Sequence, residues 1–265
     1  METHLLKRII IITLALVNLA LLALLGHNAL QQRGAEQETL AQLQTLYASH
    51  GIELLPQSLP KQHRAASAVA VSDSEREQRF AAQLLGETKA QESGSATLYR
   101  TDHGTLRFRR NGFFELTVSR PSLFREEALQ LFQELGYTLS DGGTGETVRL
   151  VQSLDRRVIA GGAVSLFFTD DLLTSAYGYY VAKTQEQAAA EPSAAADALS
   201  AFLQYVQESG LVCGSVQSIS PAWQLSAETL FQSTLLPVWL IETDAGCYYA
   251  SASGSRILPL FEAQS

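Results

Sequence analysis

The sequence predicts an α+β protein, with a single N-terminal transmembrane helix followed by tandem helix-on-antiparallel-sheet modules. Three observations predict it. Residues 9–25 read IIIITLALVNLALLALL, an apolar run close to membrane-spanning length. Asn111-Gly112 lies between the alternating runs TLRFRR and FFELTV, which is a hairpin signal. ALQLFQELGY at 128–137 aligns without gaps to FLQYVQESGL at 202–211, and strand-like runs follow each of these amphipathic segments.

The chain has 265 residues, enough for one large domain or two small ones. Hydrophobic residues make up 46% and charged residues 17%, too apolar a balance for a disordered chain. The formal net charge is −8 and no long basic block is present, which argues against binding nucleic acid through its phosphates. Two cysteines exclude a disulfide-dense scaffold and a four-cysteine zinc site. The histidines are His4, His27, His50, His63 and His103, so no His-based catalytic site or metal centre is expected in residues 104–265.

Lys7 and Arg8 precede the apolar run, and the next basic residue is Arg33. By the positive-inside rule residues 1–8 form a cytoplasmic tail, 9–28 a transmembrane anchor, and the bulk of the chain is extracytoplasmic. A cleaved signal peptide is the competing reading. The run is longer than the roughly 7–15 residues usual for such a peptide's centre, and no small-x-small site follows Leu25.

Residues 29–64 are expected to form a juxtamembrane helix and an extended linker. Leu40, Leu43, Leu46 and Tyr47 supply the helix stripe, Gly51 its end, and Pro56 and Pro60 the extended segment. The first α+β module is expected over 65–183. Ser74 and Glu77 read as a capping box before Phe80, Ala81, Leu84 and Leu85, with Gly86 ending the helix. In the hairpin at 96–118, Leu106 and Phe108 face a core and Arg107 and Arg109 face water. A two-residue turn there requires positive φ at both Asn111 and Gly112.

Pro121 and Ser122 open the next helix, with Leu129, Phe132 and Leu135 inward and Gly136 stopping it. Strands are expected at Val148–Leu154, Val158–Phe168 and Ser175–Ala182. Residues 184–196, around Pro192, read as a linker. In the second module, 197–265, Ser193 caps a helix whose stripe is Leu199, Phe202, Leu203 and Val206, and Gly210 ends it. Strands follow at Val212–Ile219, Ala222–Leu225, Leu236–Thr243 and Cys247–Ala252. The two aligned helices share Leu129/Leu203, Gln130/Gln204, Gln133/Gln207, Glu134/Glu208 and Gly136/Gly210. Two copies of one module and chance similarity between amphipathic helices both fit this pattern.

No constellation points to catalysis, and no metal or cofactor is expected. Ser58-Leu59-Pro60-Lys61 matches S-x-x-K, but Pro60 opposes the helix that such a pair needs. Gly142, Gly143 and Gly145 follow a helix and precede a strand, which suits a turn rather than a phosphate cradle. Asp170 and Asp171 read as a loop or strand end. Arg107, Arg109, Arg110 and Arg120 belong to a local basic cluster, either a solvated face or a patch for an acidic partner. Cys213 and Cys247 could form a disulfide or remain two buried thiols.

Several strings resemble the YycI branch of the YycH/YycI regulatory proteins. The short basic tail leads into an anchor containing LVNLALL at 16–22, and LYASHGIELLPQSLPK at 46–61 is similar to the family's passage after the anchor. The tandem body and the ending LLPVWLIETDAGCYYASASGSRI at 235–257 carry the rest, and that ending also resembles PepSY-type hairpins. Leu240 stands where a basic residue is expected after Pro237-Val238-Trp239, and Ala250-Ser251-Ala252 replaces a Val-Asn-Ala-like run. The resemblance implies a non-enzymatic, single-pass extracytoplasmic regulator of a WalK-type sensor histidine kinase, acting with a YycH-type partner in cell-wall homeostasis. It also implies helix–helix contact in the membrane. There Asn18, the one clearly polar residue of the run, is the candidate contact. The alternative is a PepSY-like inhibitor or ligand-binding module for a wall or secreted enzyme.

Overall fold

The structure is a computed structural model describing residues 37–60, 65–139, 145–190, 193–227, 229, 231–252, 254 and 256–261. The tail, the apolar run and Asn18 lie outside the described residues. Among the described residues no helix is long and apolar enough to cross a membrane.

The described chain opens with a helix, α1, at 37–49. Leu40, Leu43 and Tyr47 recur at helical spacing and are buried, while Leu46 remains 44% exposed. Two strands follow, β1 (Glu53–Leu54) and β2 (Ala65–Val71), then α2 (Ser74–Leu85). The cap of α2 is Asp73 and not Ser74, since the Asp73 carboxylate accepts from the Arg76 amide at 3.1 Å. That one-residue change moves Glu77 out of the capping box and onto the inner face.

A meander of β3 (Ala90–Ser93), β4 (Ala96–Thr101), β5 (Gly104–Arg109) and β6 (Phe113–Val118) follows. The hairpin between β5 and β6 buries Leu106 and Phe108, in line with the alternation of the sequence. Its turn is not the expected two-residue form. The Gly112 amide donates to the Arg109 carbonyl at 2.9 Å, and of the pair only Gly112 has a positive φ, +83°. Asn111 is turned inward: its Oδ1 accepts from the Phe113 amide and its Nδ2 donates to the Thr229 carbonyl. The two-residue geometry with positive φ at both positions appears instead at Asp155-Arg156 and Asp170-Asp171.

Helix α3 is Arg125–Glu134, starting later than Pro121 and Ser122 suggested. The Glu127 carboxylate accepts from the Phe124 amide at its start. Then come β7 (Tyr137–Leu139), β8 (Thr147–Leu154), β9 (Arg157–Ala160), β10 (Val164–Thr169) and β11 (Leu172–Tyr179). The single strand expected over Val158–Phe168 is broken at Gly161-Gly162, where Gly161 takes φ +75°. The segment read as a linker is β12 (Lys183–Ala190). Helix α4 (Ala195–Ser209) is preceded by Ala194, whose amide donates to the Asp197 carboxylate, so Asp197 does the work expected of Ser193. The chain closes with β13 (Ser215–Ser226), β14 (Ser233–Thr243), β15 (Gly246–Ala250) and β16 (Ile257–Pro259). β13 runs through Pro221, joining two expected strands.

Among the described residues these strands form one sheet in the order β12-β2-β14-β13-β9-β8-β10-β11-β6-β5-β4-β3. Off that path β1 pairs with β13, β7 with β8, and β15 links β14 to β16. Helices α2 and α3 cover one half, with Phe80, Phe132, Phe108, Phe114 and Tyr180 at the centre of its core. Helices α1 and α4 cover the other, over Val216, Trp239, Ile241 and Tyr248. The N-terminal elements therefore belong to the C-terminal half. α1 packs beside α4, β1 runs parallel to β13, and β2 pairs with both β12 and β14. The expected module boundaries at 65 and 184 follow the chain, whereas the cores draw α1 and β2 across it because only there are their apolar faces covered.

The aligned helices hold matching positions. Ala128 and Phe202 are buried, as are Phe132 and Val206, while Gln130 donates to Glu134 and Gln204 to Glu208 on the outer faces. The halves join at a seam. Gln152 makes two buried amide bonds to Val181 there, and the Ser233 hydroxyl donates to the Asn111 carbonyl. Gly178 in β11 sits against β10 so closely that a Cβ would lie 2.4 Å from the Ala163 carbonyl oxygen and 2.6 Å from the Val164 Cα. Both obstacles are backbone. Gly178→Ala is therefore expected to lower the unfolding free energy by about 3 kcal/mol, read by urea denaturation. A change under about 1 kcal/mol would mean that the two strands separate freely.

Candidate functional site

The start of α2 and the meander enclose a cavity of about 350 Å³. Ser72 and Ser74 line it from the β2–α2 junction, Glu77 from the first turns of α2, and Thr97, Phe108 and Arg110 from the meander. A second cavity, about 390 Å³, shares Ser72 and Arg110 and is lined further by residues of the paired strands β2 and β12 and by Phe231. Phe231 is itself 61% exposed.

Glu77 is the unusual group. It is only 5% exposed; the Asp73 backbone amide hydrogen-bonds its carboxyl, and among the described residues no ion pair engages it. Burial pushes its pKa up to about 7; the Asp73 backbone amide opposes that rise and the Asp73 charge adds to it. The neighbouring Tyr99 phenol is pushed up to about 12, mainly by burial and further by the Glu77 charge. The Tyr99 hydroxyl is buried without a hydrogen-bond partner.

The nearby cations are differently employed. Arg76 reaches the Ala182 carbonyl and lies 3.8 Å from Asp73. Arg109 contacts Glu115 at 3.3 Å and covers the Phe113 ring at 4.9 Å, leaving its Nε buried and unpartnered. Arg107 approaches the same Glu115 at 4.0 Å. Arg110 lines both cavities, and among the described residues its side chain has no ion pair. Arg120 is held through its backbone amide at His103. Of the four expected arginines, Arg109 and Arg110 meet at the cavity, and Arg107 and Arg120 do not line it.

Of the two readings for Cys213 and Cys247, a disulfide and two buried thiols, no disulfide joins the pair. Neighbours in a strand point to opposite faces. Tyr248 packs under α4 against Phe202 at 5.3 Å, in the core that holds Cys213. Cys247 goes with Tyr249 to a cluster on the other face. Cys213 donates instead to Asp244, whose carboxylate also accepts from the Gly214 and Ser215 amides. Those bonds, Ser215 first, pull the Asp244 pKa down, while burial pushes the Cys213 thiol up, away from a reactive thiolate.

Asp170 and Asp171 do not converge on a cleft. Asp171 binds Arg125 at 2.7 Å and fixes the start of α3. Among the described residues no group of three or more His, Cys, Asp or Glu side chains could hold a metal ion.

Glu77 is the residue that sequence reasoning misplaced. Its signal was present: Glu77, Phe80, Ala81 and Leu84 share one helical stripe, and Asp73 offered a competing cap one residue upstream of Ser74.

No protein-family model and no curated protein matches the sequence. An uncharacterized protein from Eubacterium rectale ATCC 33656, known from a crystal structure, is similar at 10% identity with a TM-score of 0.36. The match covers 75% of this chain and 80% of that one.

Proposed function

We propose that this chain is a membrane-anchored, extracytoplasmic, non-enzymatic regulator of a sensor histidine kinase of the WalK type, working with a YycH-type partner. The YycI-like strings support this reading, and one observation carries it. The apolar run 9–25, preceded by Lys7 and Arg8, is separated only by residues 26–36 from α1, and α1 is built into the core of the folded body through Leu40, Leu43 and Tyr47. An anchor joined to a core helix couples what happens in the membrane to the body outside it. Contacts that differ between two kinase states would then bias the signalling equilibrium. In this reading Asn18 supplies a hydrogen bond between membrane helices.

A second reading has its own support. The cavity at Glu77 favours a PepSY-like inhibitor or ligand-binding module for a wall or secreted enzyme, with Arg109 and Arg110 at the binding surface.

Cross-linking in the native membrane separates the two. The full-length protein is compared with a version whose residues 9–25 are replaced by an unrelated anchor. Capture of a sensor kinase with the native anchor alone is expected. A wall enzyme captured with both anchors, and no kinase with either, would sink the kinase reading.

A further inference from the structure

Glu77 and Arg110 are opposite charges on the wall of one cavity, and among the described residues neither is neutralised by an ion pair. The other basic groups around them are committed: Arg76 to Asp73 and the Ala182 carbonyl, Arg79 to the Glu75 carbonyl, Arg107 and Arg109 to Glu115. A buried carboxyl with no cation beside it is unfavourable unless something arrives to pair with it. The Tyr99 hydroxyl beside it also lacks a partner. The same wall includes Ser72, Ser74, Thr97 and Phe108.

The charges restrict the occupant. A purely anionic ligand would meet Glu77 and also Glu92, which lines the same cavity, and a purely cationic one would meet Arg109 and Arg110. A molecule with both an ammonium and a carboxylate answers both ends. The volume, about 350 Å³, suits a ligand of a few heavy atoms per end joined by a short backbone.

We infer that this cavity binds a small zwitterion of the amino-acid class, with its ammonium on Glu77 and its carboxylate on Arg110. The site goes beyond kinase regulation and does not depend on it. Ser72, Ser74, Thr97 and Phe108, which line the same cavity, supply the ligand's remaining contacts.

Isothermal titration calorimetry on the full-length chain in detergent at pH 8 tests this. The probes are the twenty L-amino acids and L-alanyl-L-alanine, each beside its N-acetyl and C-amide derivatives. At least one free zwitterion is expected to bind with one-to-one stoichiometry. Blocking either end should weaken it about tenfold or more, as should Glu77→Gln and Arg110→Ala. Arg110 is exposed and Gln is nearly isosteric with Glu, so circular dichroism should show both variants folded. No heat from any probe would overturn the site. So would equal binding of the blocked forms, or binding undiminished in folded Glu77→Gln.

Discussion

Glu77→Gln is expected to stabilise the folded chain by about 3 kcal/mol at pH 8 and to leave its stability nearly unchanged at pH 4. The sign follows from the direction of the shift. The folded carboxyl titrates near pH 7, against an ordinary value of 4.5. Below the ordinary value the group is protonated in both states and contributes no penalty. Between that value and 7 the unfolded chain gives up its proton while the folded chain keeps it, so stability falls as pH rises. Above 7 the full cost of the buried charge is present and the curve is level. Asp73, Glu92 and Tyr99 also face this region, so the slope of the unmodified protein alone is not diagnostic. The difference between it and Glu77→Gln isolates the one carboxyl. Urea denaturation at pH 4, 6 and 8 measures that difference. A gap that stays constant across the range would mean that Glu77 is solvated or paired with a cation, and the cavity would lose its buried acid without a counter-charge. A zwitterion bound to Glu77 should shrink the gap at pH 8, because it stabilises the ionised fold by mass action.

The sequence made the local parts of this fold readable wherever one physical signal acted without a rival. The alternation around Leu106 and Phe108 and the stripe Leu199, Phe202, Leu203 and Val206 lie where their periods place them. Reading failed where two signals competed within a residue or two. Asp73 and Ser74 both cap helices well, and the choice between them decides whether Glu77 is a surface cap or a buried acid. Asn111 can adopt a left-handed turn, but here its side chain is used across the seam at Thr229, so Gly112 takes the positive φ alone. Long-range assignments were not readable at all. Nothing local in AASAVAV or in KTQEQAAA says that these strands pair with each other, 112 residues apart at Val71 and Lys183. The candidate site inherits that gap, since both of those strands line its second cavity.

Tyr47→Ala is expected to destabilise the half covered by α1 and α4 by about 4 kcal/mol, and Tyr47→Phe by about 1 kcal/mol. Tyr47 is fully buried, and its hydroxyl donates to the Leu199 carbonyl in α4 at 2.7 Å. Removing the ring opens a cavity between two helices and leaves Leu40 and Leu43 as the remaining apolar ties of α1 to the core. Removing only the hydroxyl keeps the packing and loses one bond. The two variants therefore separate packing from hydrogen bonding. They also bear on the proposed anchor. If α1 were an independent stalk, Tyr47→Ala would leave the urea midpoint unchanged and would not expose Gly51–Leu55 to protease. If α1 is a structural element of the body, the midpoint falls and cleavage near Gly51 rises, while Tyr47→Phe remains close to the unmodified protein. If residues 9–25 anchor the chain as proposed, only the second outcome lets force or rotation in the membrane reach the sheet. A loose helix would absorb it within residues 37–49, and coupling between anchor and body would have no rigid element to travel through.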